Sequence, residues 1–181
     1  ADGPGSVAIL TGGRLTDEDA YAVSRFARDV VGTDHVDFRT SPQADDLAVL
    51  PTIAGDHDVT YDVVEQAPVV VVAGLEPHEE LPLLFLRMRK AWRQHNQKIV
   101  VVGPVLGRLE EIAWQWIPTE AGGEAAALQA LADGAEELAP IIDVLGDGTD
   151  LSRAPAVVLA GERLAASPGA LPAAKALAEA R

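Results

Sequence analysis

Two uninterrupted runs of β-branched and aliphatic residues constrain the fold of this chain more than any other feature. They are Val69–Ala73, which ends at Gly74, and Ile99–Val102, which ends at Gly103-Pro104. Because neither run alternates with polar residues, each is typical of a strand covered on both faces, as in a parallel sheet between helices. We therefore predict two central strands.

The segment between these strands predicts a helix from about Glu79 to His95. Glu79 and Glu80 stand in its first turn and basic residues stand towards its end, which matches the helix macrodipole at both ends. A strand, a helix and a second strand in this order form a unit whose strands run parallel.

A second unit of this kind opens the chain. Val7–Thr11 predicts a strand. Thr16 is followed by three acids and is therefore a predicted N-cap, and the helix that starts there is predicted to end at Gly32. His35–Arg39 is predicted to be the next strand, and Ala156–Ala160 a further strand near the end of the chain. Apolar residues at helical spacing predict the buried stripe of this first helix: Ala20, Val23, Phe26, Ala27, Val30 and Val31.

This alternation predicts one α/β domain over residues 1–181, with a doubly wound, mostly parallel sheet in a three-layer αβα arrangement. Between residues 40 and 66 the signals are weak, and we interpret this stretch as an irregular excursion carrying short helical turns. The chain begins at Ala1, its single methionine is Met88, and its last residues have the composition of a continuing helix. We expect a fragment of a larger protein.

Charge and residue content exclude several classes of function. The 28 Asp and Glu residues outnumber the 14 Lys and Arg residues, and the formal net charge of −14 repels nucleic-acid phosphates and anionic lipids. Without cysteine the chain cannot hold an iron–sulfur cluster through thiolates. The longest apolar stretch, Ala67–Leu75, contains Pro68 and is far shorter than the roughly 20 residues of a membrane-spanning helix. We expect neither nucleic-acid binding nor membrane insertion.

Ligands of a doubly wound sheet bind at the carboxyl ends of the strands, so the loops there are candidate sites. Gly12-Gly13 lacks the G-x-G-x-x-G spacing of a dinucleotide-binding turn. The loop Gly74-Leu75-Glu76-Pro77 precedes a helix whose amides are suited to an anion, but Glu76, Glu79 and Glu80 place carboxylates where a phosphate would lie. We interpret these acids as helix caps, and nucleotide binding stays open as an alternative.

The remaining polar motifs give weak signals for catalysis or metal binding. His78-Glu79-Glu80 begins like the helix of a zinc protease, but Pro82 takes the place of the second histidine. Asp56-His57-Asp58 indicates at most an adventitious metal site in a surface loop. We therefore predict no catalytic residue and no metal ligand.

A basic cluster on the helix between the central strands is unusual in so acidic a chain. It comprises Arg87, Arg89, Lys90, Arg93 and Lys98. One interpretation is a docking surface for an acidic partner, and the other is a solvated helix face that compensates the helix dipole. Trp114 and Trp116 alternate around Gln115, so one ring is expected to pack inward. The other is a candidate interface anchor if it is exposed.

Two blocks of the sequence resemble the molybdopterin oxidoreductase family. The first block comprises Gly12 to Tyr21, Phe26-Ala27-Arg28 and Gly32 to Asp37. It is similar to a family segment that reads Thr-Asn-Glu-Glu, an aromatic residue, Leu-Ala-Arg and Gly-Thr-Asn-Asn-Ile-Asp. Val71 to Pro77 and Leu86 to Ala91 resemble the family's next strand, its Gly-x-Asn-Pro loop and the helix that follows.

Departures from the family pattern fall in loops that help to hold the pterin dinucleotide of the molybdenum cofactor in active members. Glu76 replaces the asparagine of Gly-x-Asn-Pro, Gly103 rather than aspartate precedes Pro104, and Ala121-Gly122-Gly123-Glu124 replaces Pro-Gly-Thr-Asp. The resemblance therefore implies that this chain binds no cofactor. The vestigial loops would comprise Gly12, Gly13, Gly74, Glu76, Pro77, Gly103 and Pro104.

Loss of cofactor contacts on a retained core is also the pattern of a branch of this family in respiratory complex I, the G subunits of the NADH-quinone oxidoreductases. That resemblance implies a non-catalytic structural role in the peripheral arm, at the cytoplasmic face of the inner membrane. Contacts would be made to other subunits and to the remainder of its own subunit, whose iron–sulfur clusters would lie in a region outside this chain. The alternative is a cofactor-binding piece of an active molybdopterin oxidoreductase of the formate dehydrogenase or nitrate reductase type.

Overall fold

The structure of the chain is a computed structural model that describes residues 3–12, 15–38, 49, 52–53, 59–146 and 156–180. It divides into two compact units, Ala1–Pro42 and Gln43–Arg181, which we describe separately. The prediction of one domain over residues 1–181 stays a prediction.

The first unit contains the predicted strand, helix and strand. Strands β1 (Ile9–Leu10) and β2 (Val36–Asp37) pair in parallel. Helix α1 (Asp17–Arg25) continues as a π-helix over Phe26–Val31. As predicted, Thr16 is the N-cap, because its hydroxyl accepts a hydrogen bond from the Asp19 amide at 3.2 Å, and the helix ends at Gly32 in the left-handed conformation, with φ at 78°.

The burial of this helix differs from the predicted stripe. Of the six apolar positions only Ala27 is buried, whereas Phe26 is 52% exposed and Val30 is 72% exposed. Two causes are evident. First, a π-helix has more residues per turn than an α-helix, so side chains after Arg25 do not lie on the face predicted from a spacing of 3.6 residues. Second, a two-stranded sheet is too narrow to cover a whole helix face.

The second unit contains a four-stranded parallel sheet in the order β5-β4-β3-β6. Its strands are β3 (Val69–Ala73), β4 (Lys98–Gly103), β5 (Gln115–Pro118) and β6 (Val157–Ala160). In the register, Val71 of the central strand lies between Val100 of β4 and Val158 of β6. The predicted central strands are confirmed. β5 was not predicted, because it is a short, largely exposed edge strand that ends in proline.

Six α-helices belong to the part of the second unit that the structure describes. They are α2 (Tyr61–Gln66), α3 (Pro77–Glu80), α4 (Pro82–His95), α5 (Glu124–Asp133), α6 (Ala139–Leu145) and α7 (Ala170–Ala180). Single 3₁₀ turns cover Pro4–Ser6 in the first unit and Gly107–Glu111, Glu136–Leu138 and Glu162–Ala166 in the second.

The segment that forms α3 and α4 differs from what the sequence predicted. The helix expected from Glu79 to His95 is two helices with a break at Leu81, whose φ and ψ are −139° and 65°. A residue before proline avoids the helical region, and Pro82 has no amide hydrogen to continue the first helix. Within the stretch 40–66, where short helical turns were expected, Tyr61–Gln66 forms a short helix capped by the Thr60 hydroxyl.

Helices cover both faces of the larger sheet, which gives the predicted three-layer αβα arrangement. Alternate residues of the central strand divide between two cores: Val70 and Val72 pack with α2 and α4, and Val69 and Val71 pack with α5, α6 and α7. No helix among the described residues is long and apolar enough to cross a membrane.

A buried glutamine ties α2 to the segment that enters β4. Gln97 is 2% exposed, and its Nε2 donates to the carbonyl oxygens of Val64 at 2.7 Å and Ala67 at 2.8 Å. These carbonyls lie at the end of α2, where no further helical amide is available to them. The side chain therefore closes a helix end inside the core.

Replacing Gln97 with alanine is expected to lower the free energy of unfolding by about 1–3 kcal/mol, because buried carbonyls lose their donor. Urea denaturation followed by circular dichroism measures this. Gln94→Ala is the control, because Gln94 is an exposed residue of α4. Equal stability of the two variants would contradict the assignment.

Candidate functional site

The adjacent strands β3 and β6 create a topological switch point at their carboxyl ends. The chain leaves β3 towards α3 and α4 on one side of the sheet, and it leaves β6 towards α7 on the other side. In an open parallel sheet such divergence opens a crevice where ligands bind. This edge is therefore the candidate site.

Main-chain atoms of the two strand ends approach closely at this edge. The Gly161 amide donates to the Ala73 carbonyl at 2.8 Å, and a β-carbon at Gly161 would overlap the Gly74 carbonyl oxygen. Gly74 has a left-handed φ of 62°, and a β-carbon there would lie 2.7 Å from Cγ of Leu164. Both positions therefore require glycine.

Acidic side chains occupy the loop beside this contact. The Glu80 Oε1 accepts a hydrogen bond from the Glu76 amide at 2.8 Å and lies 2.6 Å from Nη2 of Arg163. The Glu76 Oε2 accepts from the Arg108 amide at 3.3 Å, whereas its Oε1 is buried without a hydrogen-bond partner among the described residues. The backbone amides of Glu76 and Arg108 are thus bonded to carboxylates.

Of the predicted vestigial residues, Gly74, Glu76, Pro77, Gly103 and Pro104 lie at this edge of the larger sheet. Pro77 is buried at the start of α3, and the Gly103 carbonyl accepts from the Trp116 indole at 2.9 Å. Gly12 belongs to the first unit and follows β1, and Gly13 lies outside the described residues.

Sequence reasoning assigned no role to two contributors to the edge, Arg163 and Gly161. The glycine at the end of a predicted strand was a usable signal, because glycine there marks a close backbone approach. Nothing in the sequence indicated that Arg163 pairs with Glu80, because the two residues are 83 positions apart. Only the order of the strands brings them together.

No cluster of three metal-binding side chains occurs among the described residues. His78 interacts through Nδ1 with Glu79 at 2.8 Å and packs edge-on against the Phe85 ring at 5.2 Å. The motif Asp56-His57-Asp58 lies outside the described residues. His78 therefore lies in α3 and packs against Phe85 of α4.

Most of the basic cluster on α4 is paired within the chain. Arg87 lies 2.7 Å from Glu65 and 2.9 Å from Asp62, Lys90 pairs with the same Glu65, and Arg89 lies 2.5 Å from Glu111. Hydrogen bonds from Lys90 and Arg87 lower the pKa of Glu65, and the bond to Glu65 raises the pKa of Arg87. These pairs fix α4 against α2 and the 3₁₀ turn after β4.

Lysine and tryptophan form a further contact near the start of β4. Lys98 Nζ lies 5.2 Å from the ring centroid of Trp114, a cation–π distance. Trp114 packs against the core beneath α5–α7, and Trp116 is 40% exposed. One ring thus packs inward as predicted, and Trp116 is the exposed one.

Comparison with known proteins gives a consistent set of relatives. A family model described as molybdopterin oxidoreductase matches residues 1–139. The G subunit of the NADH-quinone oxidoreductase of Mycobacterium bovis is 44% identical over 97% of this chain and 21% of its own length, and that of Streptomyces coelicolor is 38% identical over 92% and 22%. A putative formate dehydrogenase of Bacillus subtilis is 32% identical over 55% of the chain and 10% of its length. The chain spans about a fifth of the length of the first two.

Gly161→Ala is expected to lower the free energy of unfolding by about 1–3 kcal/mol or more, because the added methyl group overlaps backbone that cannot rotate away. Gly12→Ala is the matched control, since a β-carbon there meets nothing within 4 Å. Thermal and urea denaturation compare the two. If both variants match the unsubstituted chain, the strand ends are not in the described contact.

Glu65→Gln is expected to reduce the stability of the chain at pH 7 and to flatten its dependence on acid. A carboxyl whose pKa is lowered by folding stabilises the fold above its unfolded pKa, about 4.3 for Glu, and this contribution is lost as the pH falls through the folded value. Melting temperatures measured from pH 7 to pH 3 test this. Glu137→Gln, at an exposed acid without an ion pair among the described residues, should keep the original profile.

Proposed function

Because this chain belongs to the molybdopterin oxidoreductase family, we propose that it is a cofactor-free structural domain of the G subunit of an NADH-quinone oxidoreductase. The observation that carries the proposal is the pair of carboxylates, Glu76 and Glu80, held beside the switch point between β3 and β6. A domain of this family that had kept its cofactor would need open space and anion-binding groups at the carboxyl edge of the sheet.

The residues at the switch point do not fit an anionic pterin dinucleotide. Glu76 and Glu80 place two carboxylates beside the strand ends, where phosphate charges would be repelled. Main-chain atoms of Gly161 and Gly74 approach closely, so a ligand would have to lie outside the strand ends, beside these carboxylates. The free oxygen of Glu76 can accept a hydrogen bond but cannot donate one to a phosphate while it is ionised.

The relatives support the same interpretation. Matches to the G subunits of NADH-quinone oxidoreductases extend over nearly the whole chain, whereas the match to the putative formate dehydrogenase covers about half of it. An active molybdopterin oxidoreductase of the formate dehydrogenase or nitrate reductase type is the second candidate, supported by this partial likeness.

The parent protein's role is part of the proposal. Electron transfer from NADH to quinone would proceed through iron–sulfur clusters in a region outside this chain, because the chain has no cysteine to ligate them. The chain would stiffen the peripheral arm of the complex at the cytoplasmic face of the membrane. It would contact other subunits and the remainder of its own subunit through the outer surfaces of its helical layers.

Metal and pterin analysis of the full-length parent, purified with its associated subunits, tests the proposal. We expect iron, no stoichiometric molybdenum or tungsten, and no fluorescent pterin after acid oxidation. A working formate dehydrogenase purified in parallel is the positive control for pterin release. One molybdenum with pterin per polypeptide would overturn the cofactor-free assignment, and purification without other respiratory subunits would overturn the assignment to the complex.

A further inference from the structure

The outer face of α4 has an arrangement that packing within the chain does not explain. We define this face by Leu83, Leu86, Lys90, Arg93 and Gln94, which recur at helical spacing opposite the buried Leu84, Met88 and Ala91. Two of its residues are large and apolar: Leu83 is 65% exposed and Leu86 is 57% exposed. A single exposed leucine is common on protein surfaces. Here two leucines one helical turn apart lie next to basic residues on the same face, so the face has an apolar part and a positively charged part.

A shallow groove lies on the basic half of this face. Its volume is about 510 Å³, and it is lined by Leu86, Arg89, Lys90, Arg93 and Gln94. Among the described residues, the ion pairs do not fully neutralise it. Four cations of α4, including Arg87, face three carboxylates, those of Asp62, Glu65 and Glu111.

Arg93 is the cation that remains available. It is exposed, and no carboxylate lies within ion-pair distance of it among the described residues. An unpaired guanidinium presents several donors in a plane and is well suited to bind a carboxylate in a bidentate manner. Leu86 lies two turns before it on the same face, so an apolar contact and a charged contact are available side by side.

We propose that the outer face of α4 docks an acidic amphipathic segment of a neighbouring protein. Apolar side chains of that segment would cover Leu83 and Leu86, and its carboxylates would pair with Arg93 and with the cations that line the groove. The net charge of −14 on the whole chain disfavours an extended polyanion such as a membrane surface or nucleic acid, whereas a short acidic segment senses mainly the local positive face.

This proposal deepens the proposed function and rests on it only in that the chain is taken to work within an assembly. A photo-crosslinking amino acid in place of Leu86, in the full-length parent expressed in its own host, identifies the occupant. The crosslinked peptides are mapped by mass spectrometry. We expect one protein segment with a net negative charge and apolar residues at helical spacing.

A charge swap then tests the electrostatic part. Arg93→Glu should reduce the yield of the crosslink at least fivefold, and exchanging an acidic residue of the captured segment for lysine should restore it. Lys175→Glu, on α7 at the other side of the sheet, makes the same change of charge and should leave the yield unchanged. Circular dichroism of each variant excludes loss of the fold.

Several results would overturn the proposal: no crosslink at position 86, capture of lipid, of a second copy of the chain or of a segment without excess acidic charge, or an unchanged yield with Arg93→Glu. Failure of the proposed function is distinguishable, because in that case the parent would not purify with respiratory subunits at all. A chain that purifies with them but captures nothing acidic from position 86 would overturn only the docking surface.

Discussion

Burial of β3 on both faces is the constraint on which the rest of the larger unit depends. The strand pairs with β4 on one side and with β6 on the other, and all five of its residues are buried. A strand in this position needs helices above and below it, and its parallel neighbours can be reached only by crossover connections. The three layers, the two cores and the switch point between β3 and β6 all follow from this arrangement.

The switch point shows how an acidic edge is stabilised by donors and cations of the chain itself. Carboxylates that leave water need hydrogen-bond donors or cations, and here the chain supplies them: the Glu76 amide and Arg163 for Glu80, and the Arg108 amide for Glu76. Three loops that follow β3, β4 and β6 are thereby joined. The basic side of α4 follows the same principle, because Glu65 holds both Arg87 and Lys90 and connects α2 to α4.

The sequence predicted those parts of the structure whose signals are local. Continuous Val and Ile runs identified β3 and β4, and the Thr16 hydroxyl and the acids after it identified the start of α1. Parts that depend on tertiary context were missed. β5 is a short edge strand with no apolar run, the pair between Glu80 and Arg163 needs the strand order, and the π-helix after Arg25 displaces side chains from their expected face. Pro82 was a local signal for the break at Leu81. The acids before it and the basic residues after it indicated one continuous helix, so the break was not predicted.

The contact between Gly161 and Gly74 limits what substitutions can do at this edge of the sheet. It is made by main-chain atoms, so no exchange of neighbouring side chains can separate the two strand ends. Asparagine at position 76 would remove a charge and leave the strands where they are. Moving the strand ends apart would require displacing β6 from β3, which would break the parallel ladder that holds the sheet together. Mutation of the surrounding loops can therefore change the charge of this edge far more easily than its backbone geometry.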